Sequence, residues 1–199
     1  MTRKVSNFQT TLALALVSTS IVAASASSLL PEPVFAAEKA VAPEKNPPGD
    51  IPDTQVFVTY DAKSGYSLKV PEGWARSDLG NGASFVDKLD GVVITEQSEN
   101  AAPTIDTVKT KFLPDLEKRS RALKLGQVEQ VKLPAGEAIR IAFTSNSEPN
   151  AVTNKQVLLE NEIYLYHKGG KTVALQLYAP YGADNVDQWK LMSRSFRWK

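Results

Sequence analysis

Apolar and polar residues alternate along much of this chain, and in two stretches the period lengthens to that of a helix. In Gly65–Trp74, Tyr66, Leu68 and Val70 fall on alternate positions, the pattern of a strand with one buried face. Pro71 then removes a ladder donor, Gly73 permits a sharp turn, and Trp74 supplies a large apolar group. The same reading predicts strands over 55–60, 66–70, 83–87, 92–97, 127–132, 138–144, 156–167 and 172–178. Asp61–Gly65 serves as the first turn, and Asn81-Gly82 and Asp90-Gly91 are hairpin signals around the second pair of strands. Gly169-Gly170 joins the last pair as a two-residue hairpin. Within 138–144, Ile139, Ile141 and Phe143 point inward and Arg140 outward.

Over 104–125 the period changes. Ile105, Val108, Phe112, Leu116 and Leu123 share one helical face, opposite Lys109, Lys111, Lys118, Arg119 and Arg121. Thr104 and Thr107 can cap its start, while Pro114 lacks a backbone donor and should kink or split it. A second helix over 183–196 is predicted from the stripe Val186, Trp189, Met192 and Phe196, with Asp184 or Asn185 as its cap. Strands joined by hairpins, interrupted by one helix and closed by another, define an α+β fold whose central sheet is mainly antiparallel with helices packed against it. Trp74 and the Trp189–Phe196 stripe should meet on the same sheet. If the Trp74 indole is buried there, deleting it costs about 3–5 kcal/mol.

The first 36 residues follow a different pattern. Arg3 and Lys4 precede an apolar run from Leu12 to Leu30, diluted by serines and threonines, and small residues follow at Ala36-Ala37 and at Ala24-Ser25-Ala26. That is the layout of a secretory signal peptide spanning 1–36, cut after Ala36 or after Ala26. Left uncleaved, the same run would tether the chain to a membrane. Residues 37–54 carry four prolines and no aromatic residue, and they read as an extended, mobile linker before a single domain over 55–199. The chain contains no cysteine, which removes disulfides, thiol nucleophiles and a lipoprotein anchor. Taking Arg3, Lys4 and Glu32 from 23 basic and 22 acidic residues leaves the two signs balanced, unlike a nucleic-acid binder. The expected location is therefore outside the cytoplasm, secreted or at the cell envelope.

Taken in order, several of these segments resemble the PsbP-like family and the wider superfamily that it shares with the Mog proteins. The matching residues are Tyr60-Asp61, the decapeptide Gly65–Trp74, Phe85-Val-Asp87, Tyr164-Leu-Tyr166, Gly170-Lys-Thr-Val-Ala174, Asp187-Gln-Trp189 and Ser195-Phe196. The resemblance implies an α/β/α sandwich and a non-catalytic accessory protein acting outside the cytoplasm. In photosynthetic organisms such proteins assist the oxygen-evolving side of photosystem II. The wording of 182–189 resembles exported bacterial members more than photosynthetic ones.

Candidate chemistry is sparse. His167 is the single histidine, and a Ser-His-Asp hydrolase would have to use it; no Gly-x-Ser-x-Gly elbow accompanies it, so an ordinary strand position is favoured. Gly80-Asn-Gly82 and Gly169-Gly170 lack the helix start and Lys-Thr pair of a phosphate-binding loop. Asp87 with Asp90 could share a cation, and Glu160 with Glu162 lie on one strand face, but either pair offers fewer oxygens than calcium takes. The basic residues Lys118, Arg119, Arg121 and Lys124 read as a solvated helix face rather than a lipid or wall-polymer site. Trp74 and Trp189 fall on core-facing positions, with Trp198 less constrained. No catalytic, cofactor or metal residue is therefore assigned. The expected partner is another protein or the envelope surface, and an extracytoplasmic hydrolase or a photosystem II accessory protein stands as the alternative.

Overall fold

The computed structural model describes residues 38–199, and the segment read as a signal peptide lies outside the described residues. Among the described residues, no helix is long and apolar enough to cross a membrane. Within the described residues, ten strands form two antiparallel sheets. The larger has the order β3-β4-β5-β9-β8-β7-β6, built from β3 (Ala75–Leu79), β4 (Gly82–Asp87), β5 (Asp90–Ser98), β6 (Arg121–Leu133), β7 (Gly136–Asn146), β8 (Leu158–Lys168) and β9 (Lys171–Pro180). The smaller sheet holds β1 (Phe57–Ala62), β2 (Tyr66–Pro71) and β10 (Arg197–Trp198), with β2 in the middle.

Alternation on β7 and β8 assigns the two faces of the large sheet. Ile139, Ile141, Phe143, Ile163 and Leu165 bury one face beneath Val108, Leu113 and Leu116. Those three belong to a helical layer of α1 (Ile105–Thr107), a π turn (Val108–Phe112) and α2 (Leu113–Arg119). The other face, with Phe85, Val92, Ile94, Leu175, Leu177 and Tyr166, packs against Tyr66, Leu68 and Val70 of β2 and against α3 (Val186–Ser195). The expected layer of helices on this side is instead a mixed layer of a small sheet and one helix. The reason lies in Pro71 and the turn at Gly73, which end β2 and let its apolar face lie across the large sheet rather than extend it.

The first helix forms as the pattern predicts but ends early. Thr104 and Thr107 cap each other reciprocally, at 3.1 Å and 2.8 Å. Pro114 splits the helix through the π turn, in which the Leu113 amide reaches back to the Val108 carbonyl. After Ser120 the chain turns extended, and residues predicted as the last helical turn pair with β7 through two register shifts. Ladder bonds to a buried neighbour thus prevail over local helical preference. β3 was invisible to the alternation argument because all five of its residues are exposed, a polar edge that discourages pairing with other chains.

Two packing expectations are corrected. Trp74 is half-buried at the margin of the core; the decapeptide residue that meets the terminal stripe is Tyr66, stacked 5.3 Å from Phe196. Phe196 stacks in turn on Tyr166 at 4.1 Å, with Trp198 edge-on at 5.1 Å. On α3, Trp189 and Met192 are buried as expected but Val186 is 72% exposed.

Residues 38–54 also differ from a free linker. They form no strand or helix, yet a run of hydrogen bonds straps them to the domain. Asn146 holds the near end, accepting from the Val41 amide at 2.9 Å and donating to Glu38 and to the Lys39 carbonyl. Asn185 holds the far end, accepting from the Ile51 amide at 2.6 Å and donating to the Gly49 carbonyl at 2.8 Å. Ile51 is buried in the core, which rewards the ordering of an otherwise polar segment.

Candidate binding groove

The side of the large sheet facing α3 is not fully covered. Beyond α3, strands β6, β7 and β8 leave a groove of about 510 Å³, walled by Ala40 and Pro43 of the strap and floored by Gly126, Ala142 and Thr144. Trp189 marks its boundary with an adjoining hollow of about 290 Å³, lined by Val131, Leu133, Tyr164 and Lys190. The small residues of the floor keep the groove open. At Gly126 a Cβ would lie 2.9 Å from the Ala142 carbonyl oxygen, so a larger residue there would press β6 away from β7.

A charged relay crosses this face. Arg140 donates to Glu129 at 2.7 Å on one neighbouring strand and forms a short ion pair with Glu162 on the other; the Tyr164 hydroxyl completes the row by donating to Glu162. The hydrogen bond to Glu162 raises the Arg140 pKa, and burial with help from Glu162 pushes the Tyr164 hydroxyl to about 12. The bonds of the row hold its side chains in position across the face. Glu160, two residues along the same face from Glu162, is different: burial raises its carboxyl, with the Gly182 backbone N–H acting in the opposite direction. It lines both hollows. The groove therefore offers a partly desolvated carboxylate beside Trp189, an arrangement that suits a cation carried on an apolar body.

The structure brings together some of the residues singled out by sequence and separates others. Glu160 and Glu162 do share a face. Glu129 and Tyr164, which complete their row, were not anticipated, although counting back from the two-residue turn Pro134-Ala135 places Glu129 opposite Arg140. Ala40 and Pro43 carried no recognisable signal.

His167 lies elsewhere, in a chain with Thr172 and Glu99. A carboxylate only accepts, so the Thr172 hydroxyl donates to Glu99 at 2.6 Å, and His167 Nδ1, 3.0 Å from the same oxygen, is left to donate to it. That polarity is opposite to a base withdrawing a proton from a nucleophile. The basic residues likewise disperse. Lys118 pairs with Asp115 at 3.0 Å, Arg119 lies over the Phe112 ring, Arg121 bridges Glu38 and Glu148, and Lys124 lines the groove. Asp87 and Asp90 face each other across the β4–β5 turn. Among the described residues, no group of three or more histidines and carboxylates is placed to hold a metal ion.

A two-sheet antiparallel core with one helical layer and one mixed layer places this chain in the α+β class. Its fold is PsbP-like. It superposes on cyanobacterial PsbP from Synechocystis with a TM-score of 0.53 and 16% identity, covering 76% of this chain and 98% of that one. Two further solved structures are similar at lower scores. The Ran-binding protein Mog1p of Saccharomyces cerevisiae has a TM-score of 0.49 and 9% identity, covering 72% of this chain and 96% of that one. LpqN of Mycobacterium tuberculosis, described as involved in cell envelope biogenesis, has 0.43 and 11%, covering 73% and 91%. No family model and no curated protein sequence matches the chain.

Proposed function

We propose that this protein is an exported, non-enzymatic accessory module that binds a protein partner in the groove beside α3. The carrying observation is Glu160, a carboxylate raised by burial and open to the groove while its charged neighbours Arg140, Glu129 and Glu162 are bound to one another. Burial without a charged partner makes Glu160 the group with most to gain from a ligand cation. The occupant is a lysine or arginine side chain of the partner flanked by apolar residues, its charge on Glu160 and its body against Trp189. Export is supported by the layout of residues 1–36, and the balanced charge of the remainder speaks against a nucleic-acid partner. The PsbP-like fold is compatible with such a role without itself assigning one.

The test is selection of displayed peptides against the wild type and against Glu160→Lys. The wild type should enrich sequences with a basic residue between apolar ones, and Glu160→Lys should lose that enrichment. Identical peptides from both proteins would refute the site. A hydrolase reading would rest on His167, and any turnover abolished in His167→Ala would replace the present one.

A further inference from the structure

The strap crosses one corner of the fold where the chemistry is incomplete. At the start of β5, Asp90 is 5% exposed, and its Oδ1 is buried with no hydrogen-bond partner. Such a group is costly when charged, since nothing replaces the water it has lost. What covers it is the strap. Gly49 lies so close that a Cβ built there would stand 2.7 Å from Asp90 Oδ1 and 2.7 Å from Pro180 Cδ. Gly49 also has φ +110°, a conformation that other residues rarely adopt. On the opposite side of the corner, the Tyr178 ring occupies the space where Gly91 has no side chain.

The neighbouring charges do not neutralise Asp90. Asp87 on the same turn and Asp50 on the strap repel it, Lys88 attracts it, and the Tyr178 hydroxyl of β9 is itself raised, by burial first and by Asp90 second. Burial is the largest influence, and together these lift the Asp90 carboxyl to about 7. Asp50 is engaged elsewhere, accepting from the Asp184 amide at 2.8 Å. The strap bonds nearest the corner are therefore Asp50 to Asp184, and Gly49 and Ile51 to Asn185.

We propose that Asp90 is a proton-operated latch for the strap. Protonated, it lets Gly49 and Pro180 close over it. Ionised, it carries an unanswered charge beneath them, and the Gly49–Ile51 stretch lifts away so that water can reach the carboxylate. The strap then holds in mildly acidic surroundings and loosens as they become alkaline. The near end, where Ala40 and Pro43 wall the groove, keeps its separate bonds to Asn146, so the latch does not depend on the groove reading above.

Hydrogen exchange of the full-length protein tests it, read at the Ile51 and Asp184 amides and corrected for the intrinsic effect of pH. Between about pH 6 and pH 8, protection at both amides should fall about tenfold in the wild type and stay level in Asp90→Asn, which keeps the shape without the charge. Carboxyl carbon shifts of Asp90 in the wild type should titrate over the same range as the loss of protection. Level protection in the wild type, an equal fall in Asp90→Asn, or an Asp90 midpoint below about pH 5 would each overturn the latch. So would restoration of protection at the higher pH by calcium alone, which would make the corner a cation site. Peptide binding in the groove that failed while the latch responded would count against the groove and not against Asp90.

Discussion

Two corners of this molecule bury polar groups against the same sheet and treat them differently. At the aromatic closure, Tyr66, Tyr166, Phe196 and Trp198 stack around the end of α3, and every hydroxyl is used: Tyr66 donates to Glu96 at 2.9 Å and Tyr166 to the Ser193 carbonyl at 2.7 Å. At the strap corner, Asp90 is buried almost as deeply and Oδ1 has no partner. The closure gains from both area and satisfied bonds, whereas the strap corner gains area and gives part of it back in desolvation. A buried polar group stabilises only where its partner is supplied, so the two corners should respond to different perturbations.

The largest effect belongs to the closure. Phe196→Ala removes the ring on which both tyrosines stack, and stability to urea should fall by about 3–5 kcal/mol at any pH. Arg140→Ala, which leaves Glu129 and Glu162 facing each other without their cation, should cost about 1–3 kcal/mol of stability. At the strap corner the sign depends on pH. The folded Asp90 carboxyl lies at about 7, above its ordinary 3.8, so the stability tied to its proton is complete below the lower value and lost as pH rises through the upper one. Asp90→Asn should match the wild type below about pH 4 and gain on it as pH rises from there, exceeding it by about 1–3 kcal/mol near pH 8, measured by urea midpoints. Trp74→Ala, at the margin of the core rather than within it, should cost only about 1–2 kcal/mol, and a loss as large as that of Phe196→Ala would show the closure to extend further than the stack. Lys118→Ala, which breaks an exposed pair with Asp115, should change stability by less than about 0.5 kcal/mol.

The two corners also differ in how far they could be read from sequence. The closure was largely visible: alternation placed Tyr66 inward, and helical spacing placed Trp189, Met192 and Phe196 on one stripe. The error was in assigning the meeting to Trp74, because size marks a residue as apolar but not how deeply its strand end is covered. The strap was not visible. A segment with four prolines and no aromatic residue carries no periodicity, and its order comes from single long-range bonds to Asn146 and Asn185 that no local pattern announces. The groove stands between these cases. Arg140 as an outward residue and Glu160, Glu162 and Tyr164 on one face follow from alternation, while Glu129 required knowledge of which strand is the neighbour.

Hydrogen exchange within a single wild-type sample compares the corners directly, following the Ile51 amide on the strap and the amides of β2 beneath the closure at about pH 6 and pH 8. After correction for intrinsic rates, Ile51 should lose about tenfold in protection while β2 keeps its own. Loss at both sites together, or at neither, would contradict the claim that an unpartnered Asp90 makes the strap separately responsive to protons.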